Sequence, residues 1–354
     1  MINTYTAIGV MSGTSLDGID LACCTFVENK GWSYKLIATE FIPYSLSWKA
    51  RLSSVENSTA LDLALTDIDF GLYIAELCVG FIQKNKLNPE LIASHGHTIF
   101  HQPEKKLTTQ IGNGAAIAAS TKIPVVCDFR TADVLNGGQG APLVPVGDHY
   151  LFSEYDFCLN IGGFANISFV KNNNRIAFDI CGANIVLNKL CETIGLEFDN
   201  DGKIARENKI DFNLLNELNN LQFYQENGPK SLGKEWIIEE VLPILESSTI
   251  STEQKIATYT EHIAFQISRT LLETDIPNSK LLITGGGAFN AFLLQRIDKL
   301  SGVKPEPASE EIIAFKEAIV FAFLGVLRWR GEINCLKSVT GANKDVSGGC
   351  IYLP

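Results

Sequence analysis

Residues 8–20 read I-G-V-M-S-G-T-S-L-D-G-I-D, and the rest of the chain is organised around them. An apolar run over residues 7–11 stops at Ser12, and the apolar pattern resumes at Ile19, Leu21, Ala22 and Cys23. This pattern predicts two strands joined by a tight turn rich in Gly, Ser and Asp. Gly13 and Gly18 lack a Cβ, so the turn can take positive φ and admit an anion close to the backbone. Successive N–H groups in such a turn form a nest for phosphate oxygens. Ser12, Thr14 and Ser15 add hydroxyl donors, and Asp17 is placed to hold a hydrated cation. The competing reading is an ordinary hairpin without a ligand.

The chain has 354 residues, enough for two domains, and 46% of them are hydrophobic, enough for two cores. The formal net charge is −11 with no basic cluster, which argues against nucleic acid or an anionic membrane as partner. A phosphate site must therefore be built locally, from glycines and a metal ion. The nine cysteines include no C-x-x-C pair, and Cys23, Cys24, Cys78, Cys127 and Cys158 lie in apolar runs. Free thiols in a reducing compartment fit this best. With no signal-like opening and no apolar stretch long enough to span a bilayer, the expected location is the cytoplasm.

After the opening hairpin, residues 34–44 read as a third strand. Residues 59–84 carry helical spacing at Leu61, Leu65, Ile68, Leu72 and Ala75, with Ser58 or Thr59 as cap. Strands follow at Leu91–Ser94 and residues 108–111, then a short helix at 115–120 and a buried strand at 124–129. His95, His97 and His101 sit in H-G-H-T-I-F-H-Q-P, residues 95–103. Zinc is disfavoured there because no Cys or carboxylate completes the set; orienting a polar ligand is the better reading. Residues 128–145 are too rich in Gly and Pro for a regular element. They read as the domain junction, and they offer Arg130, Asp133, Asn136 and Gln139 to a hydroxyl-rich, carboxylate-bearing ligand.

The second half repeats this order. Phe157–Ile161 is a strand, Gly162 and Gly163 open a turn, and residues 167–170 return. A third strand at 175–179 leads into a helix near 184–194, and residues 211–274 are largely helical. Leu281–Thr284 runs into Gly285, Gly286 and Gly287, followed by helices at 289–300 and 312–328. Each half thus reads as three strands, helix, strand, helix, with a glycine turn after its first strand. Two such halves are expected to clamp a nucleotide between lobes. Glu317 lies in I-I-A-F-K-E-A-I-V-F-A-F-L, a helix too apolar to bury a charge without a purpose. It is expected to accept a hydrogen bond from a sugar; the alternative has Glu317 and Lys316 on one solvated face.

These residues resemble the anhydro-N-acetylmuramic acid kinase family. The resemblance runs in order through G-T-S-L-D-G-I-D (13–20), S-H-G-H-T-I-F-H-Q-P (94–103), D-F-R (128–130), G-G-Q-G-A-P-L-V-P (137–145), N-I-G-G-F-A-N-I-S (160–168) and T-G-G-G-A-F-N (284–290). It implies a two-lobed α/β fold of the actin/hexokinase and heat-shock ATPase superfamily, with ribonuclease H-like motifs and the nucleotide and sugar in the interdomain cleft. The lobes expected are 1–129 and 130–354. The implied reaction opens 1,6-anhydro-N-acetylmuramic acid with water and phosphorylates its 6-oxygen from ATP, with Mg2+, in peptidoglycan recycling.

By position, the resemblance assigns Gly13, Thr14, Ser15, Leu16, Asp17, Gly18, Ile19 and Asp20 to the ATP phosphates, with Asp17 toward the metal. Gly162, Gly163 and Asn166 form a second phosphate turn, and Gly285, Gly286 and Gly287 flank the adenosine. Asp179 aligns with the catalytic aspartate. The sugar falls to His97, Arg130, Gln139, Asn184 and Glu317. Where the family reads F-D-T-G-P-G-N, this chain reads F-D-I-C-G-A-N, residues 178–184; Asp179 and Asn184 survive. The role suits Asp179 independently, since water needs a placed carboxylate to take its proton; the alternative there is a helix N-cap. Two other functions stay open: a kinase for another anhydrosugar or a hexose, and a nucleotide-driven binding protein. A homodimer is among the assemblies left open.

Overall fold

The computed structural model describes residues 2–13, 16–225, 230–274, 276 and 278–354. The chain forms two compact units: Met1–Leu151 together with Phe315–Pro354, and Phe152–Ala314.

In the first unit, β1 (Asn3–Ser12), β2 (Gly18–Glu28) and β3 (Trp32–Pro43) form an antiparallel meander. β4 (Leu91–Ser94) then lies parallel to β1. β5 (His97–Gln102) and β6 (Leu107–Ile111) make a separate hairpin, and β7 (Val125–Cys127) lies parallel to β4. The middle of β1 is buried on both faces, which is why residues 7–11 are uniformly apolar. Ile8 and Val10 join a core with Phe70, Ile74, Cys78 and Phe81 of the Ala60–Asn85 helix. On the opposite face a Cβ at Gly9 would lie 1.8 Å from the Ala318 carbonyl oxygen, so the Glu310–Trp329 helix packs directly on the strand.

In the second unit, β8 (Phe157–Ile161), β9 (Phe164–Lys171) and β10 (Asn174–Gly182) form the meander. β11 (Leu281–Thr284) and β12 (Pro305–Pro307) extend it in parallel. Its core joins Phe157, Leu159 and Ile161 to Tyr259, Ile263 and Ile267 of the Thr252–Glu273 helix. The sheet orders are β13-β7-β4-β1-β2-β3, where β13 is Cys350–Tyr352, and β10-β9-β8-β11-β12. Setting β13 aside, both units carry the same five-strand order and directions: a meander whose first strand is central, then two parallel strands reached through crossovers.

The structure differs from the sequence reading at the domain junction and along the 59–84 helix. The junction expected at residue 130 lies inside the first unit. Residues 128–145 are packed there because the chain's end returns to them: Gln139 N–H donates to the Thr340 carbonyl at 2.9 Å, and β13 pairs with β7. The helix expected at 59–84 forms, with Thr59 as its N-cap accepting from the Asp62 N–H at 3.1 Å. Yet Leu61, Leu65, Ile68 and Leu72 of the quoted stripe are exposed, and the buried face runs through Phe70, Ile74, Cys78 and Phe81. Within the histidine segment, His97–Gln102 form strand β5. No helix among the described residues is long and apolar enough to cross a membrane.

Candidate active site

β1 ends at Ser12 and β2 begins at Gly18, so the strand–turn–strand reading of residues 8–20 holds. Thr14 and Ser15 lie outside the described residues. Leu16 takes φ +60°, a strained value for a branched side chain, at the shoulder of the turn. Tyr44 N–H donates to the Asp17 carbonyl at 3.0 Å, fixing the turn against β3. Gly18 owes its lack of a side chain to packing: a Cβ there would lie 2.2 Å from the Ile42 carbonyl oxygen. Ser12 Oγ sits 2.7 Å from the Tyr44 hydroxyl and 3.0 Å from His97 Nδ1. Burial lowers the His97 pKa to about 4, so the ring is neutral at pH 7.

Beyond β4, His95 Nδ1–H donates to the Gly96 carbonyl at 2.8 Å, and its Nε2 accepts from Arg130 Nε at 3.0 Å and Nη2 at 2.8 Å. Burial, then the Arg130 charge, lowers the His95 pKa to about 3, which agrees with a neutral ring accepting from a cation. Arg130 Nη1 donates to the Gly140 carbonyl at 2.6 Å. His101 pairs with Thr108 Oγ1 at 3.1 Å, so each of the three histidines is held by protein groups. Among the described residues no group of three or more His, Cys, Asp or Glu side chains is placed to hold a metal ion.

In the first unit Asp20 feels two other carboxylates. Burial, then the charges of Glu317 and Asp17, raise the Asp20 pKa from 3.8 to about 6. Glu317 is open to solvent along its side chain but ringed by enough protein that desolvation raises its pKa; Arg130 and Lys316 pull it back. Lys316 does not share a solvated face with it: Lys316 is buried and pairs with the buried Asp148 at 2.7 Å. The Gln139 side chain is exposed.

In the second unit the strand register does the assembling. Thr284, Asn160, Asn166 and Asp179 are direct neighbours across β11, β8, β9 and β10. Directly paired residues share a sheet face, so these four form one polar row. Thr284 Oγ1 donates to Asn160 Oδ1 at 3.3 Å. Asp179 is half-buried; its Oδ2 accepts from the Leu232 N–H at 2.9 Å, and its own N–H donates to the Lys230 carbonyl at 2.9 Å. Burial raises its pKa and the Leu232 bond lowers it. It lies within β10 and caps no helix; the following helix begins at Asn184.

The turn after β8 is tied to that helix. Ala183 and Asn184 N–H groups donate to the Gly163 and Gly162 carbonyls at 2.8 and 3.1 Å. Asn184 Nδ2 reaches the Ile161 carbonyl at 3.3 Å. A Cβ at Gly162 or Gly163 would meet nothing closer than 3.4 or 3.8 Å, and neither has positive φ. Neither packing nor backbone strain demands glycine there; the space is simply kept clear. Gly286 is similar, with its nearest neighbour at 3.5 Å. Gly285 and Gly287 differ: their Cβ atoms would lie 2.6 Å from the Ile161 carbonyl oxygen and 2.3 Å from Ile161 Cγ2. Asn160 and Thr284 were not singled out as site residues from the sequence. The signal was present, since each is a polar residue at or next to the end of an apolar strand that runs into a glycine turn.

Two units, each with an antiparallel meander continued by parallel strands and a turn behind its central strand, define the actin/hexokinase-like class with ribonuclease H-like motifs. The sequence pattern of the family described as anhydro-N-acetylmuramic acid kinase matches residues 5–354, and the chain belongs to that family of kinase enzymes. It is 36% identical to the anhydro-N-acetylmuramic acid kinase of Mannheimia succiniciproducens, over 98% of each chain. It is 34% identical to that of Haemophilus influenzae, over 98% of this chain and 97% of the relative. Among solved structures it is similar to a ROK-family glucokinase from Streptomyces griseus in complex with glucose and AMPPNP, with 12% identity and a TM-score of 0.41 over 91% of this chain and 99% of that one.

Proposed function

We propose that this kinase uses ATP to phosphorylate the 6-oxygen of 1,6-anhydro-N-acetylmuramic acid while water opens the anhydro bridge, giving N-acetylmuramic acid 6-phosphate and ADP. Its place is then peptidoglycan recycling in the cytoplasm. The observation that carries the reading is the polar row ending in Asp179, beside two glycines that leave their side-chain space clear. Asp179 takes a proton from water as the water oxygen bonds to the anomeric carbon. The bond from that carbon to the bridge oxygen breaks, and the freed 6-oxygen bonds to the γ-phosphorus as ADP leaves. Burial makes Asp179 a stronger base than an exposed carboxylate, and the Leu232 N–H holds one oxygen so that the other faces the proton.

Phosphoryl transfer rests on positioning and charge neutralisation. Gly13 to Asp20 in one unit and Gly162, Gly163 and Asn166 in the other are the phosphate turns, with Gly285 to Gly287 at the adenosine. His97, Arg130, Gln139, Asn184 and Glu317 serve the sugar. The residues fit magnesium: Asp20 is pushed up to about 6 partly by the like charges of Glu317 and Asp17, and a divalent cation relieves that repulsion. Asp17 and Asp20 would hold it with phosphate oxygens and water, as magnesium prefers, and it would neutralise developing phosphate charge.

The departure from the family pattern after Asp179 lies in the core. Ile180, Cys181 and Ala183 are buried at 3, 0 and 0% exposure, so they change packing and leave Asp179 and Asn184 as the groups available to ligand. The test is mass spectrometry after incubation with ATP, magnesium and a panel of anhydro and free sugars. Phosphorylated, ring-opened N-acetylmuramic acid is the product expected. Turnover of a free hexose in its place would overturn the reading.

A further inference from the structure

Asp133 was grouped by sequence with the ligand-facing residues of the 128–145 segment, but its side chain is fully buried. Its two oxygens bind three donors from separate parts of the chain. Oδ2 accepts from the Gly140 N–H at 2.8 Å. Oδ1 accepts from Thr340 Oγ1 at 2.8 Å and from Cys335 Sγ at 3.1 Å. The fit around it is close, since a Cβ at Gly138 would lie 2.2 Å from Oδ2. Gly140, at φ +69°, then presents its carbonyl to Arg130 Nη1.

The Arg130 guanidinium is thus gripped on two sides. His95 Nε2 takes Nε–H and one Nη2–H; Gly140 O takes one Nη1–H. Of the five N–H groups of an arginine, these contacts occupy three and leave two for a ligand. Gln139, the neighbour of Gly140, is held by its backbone to Thr340, the same residue that binds Asp133. One buried carboxylate therefore shapes the loop that both aims Arg130 and carries Gln139.

We propose that Asp133 is a positioning residue for sugar recognition, acting through the Gly140 carbonyl on Arg130. The proposal rests on the reading of Arg130 as a sugar-binding group. Removing a donor to a buried carboxylate loosens the Gly140 anchor and lets the guanidinium turn. Sugar affinity then falls while nucleotide affinity holds, because the partners of Asp133, namely Gly140, Thr340 and Cys335, belong to none of the assigned phosphate turns.

The experiment uses the full chain and first perturbs a partner of the carboxylate, then the carboxylate itself. Thr340→Val removes the hydroxyl at nearly constant shape; Thr340→Ser restores it; Asp133→Asn is the companion variant. Two readouts are taken: KM for 1,6-anhydro-N-acetylmuramic acid against KM for ATP, and solvent-exchange protection of the Arg130 Nε–H resonance. Thr340→Val should raise the sugar KM about five- to tenfold with the ATP KM unchanged. It should also lose Nε–H protection, and Thr340→Ser should recover both. In an Arg130→Lys background Thr340→Val should add nothing further. Unchanged protection in folded Thr340→Val and Asp133→Asn, or equal rises in both KM values, overturns the proposal. A wild-type protein inert toward the sugar would instead refute the substrate reading, while the Nε–H resonance would still decide the role of Asp133.

Discussion

Asp20→Asn should make the protein more stable at neutral pH and less able to use ATP. Asp20 lies at the start of β2, half-buried, with its pKa raised from 3.8 to about 6 by burial, by Glu317 and by Asp17. Below the lower value both folded and unfolded chains hold the proton, and no penalty exists. As pH rises from 3.8 to about 6 the unfolded chain ionises while folded Asp20 keeps its proton. The folded state then binds more protons, so stability falls with rising pH and the loss is complete above about 6. The shift of about two units corresponds to about 3 kcal/mol; solvent screening at a half-exposed site cuts this to ~1–2 kcal/mol. Asparagine has no such titration. Denaturant unfolding of both proteins at a series of pH values should show the variant gaining ~1–2 kcal/mol on the wild type between pH ~3.5 and ~7.5. Magnesium and nucleotide at neutral pH should narrow that gap by stabilising the wild type more. A gap that stays flat with pH, or one that moves in favour of the wild type as pH rises, would refute the reasoning.

The glycines divide into two classes with opposite outcomes. Gly162→Ala enters clear space and should leave the melting temperature unchanged while weakening ATP binding at least about tenfold by calorimetry. Gly287→Ala drives a methyl to 2.3 Å from Ile161 and should cost about 1–3 kcal/mol of stability in the same protein; equal behaviour of the two would contradict the division. Glu317→Gln should raise the sugar KM about tenfold and leave the ATP KM in place, checked by steady-state kinetics with each substrate varied in turn. Matched changes in both constants would remove Glu317 from the sugar site.

The strand–turn–strand units were legible because strands buried on both faces are mostly apolar and glycines punctuate them, as in residues 7–18 and 157–163. What each glycine is for was not legible. Gly18 and Gly287 answer to Ile42 and Ile161, contacts made by folding and absent from any local pattern. The Ala60–Asn85 helix has two apolar stripes; sequence periodicity finds the helix but cannot say which stripe meets β1. Asp133 reads as a surface group because it stands in a glycine-rich segment, and its partner Thr340 lies 207 residues further on. Asn160 and Thr284 became site candidates only when strand register set them beside Asn166 and Asp179.

Turnover in heavy-oxygen water tests most directly whether Asp179 activates water against the anomeric carbon. Wild-type product should carry one solvent oxygen on the anomeric carbon and none in the phosphate, with no phosphorylated, unopened sugar accumulating. Asp179→Asn keeps the shape and the strand pairing but loses the base, so sugar opening and ADP release should fall together by about 10² to 10⁴ while ATP binding persists. Label in the phosphate, or near-normal turnover by Asp179→Asn, would contradict the account.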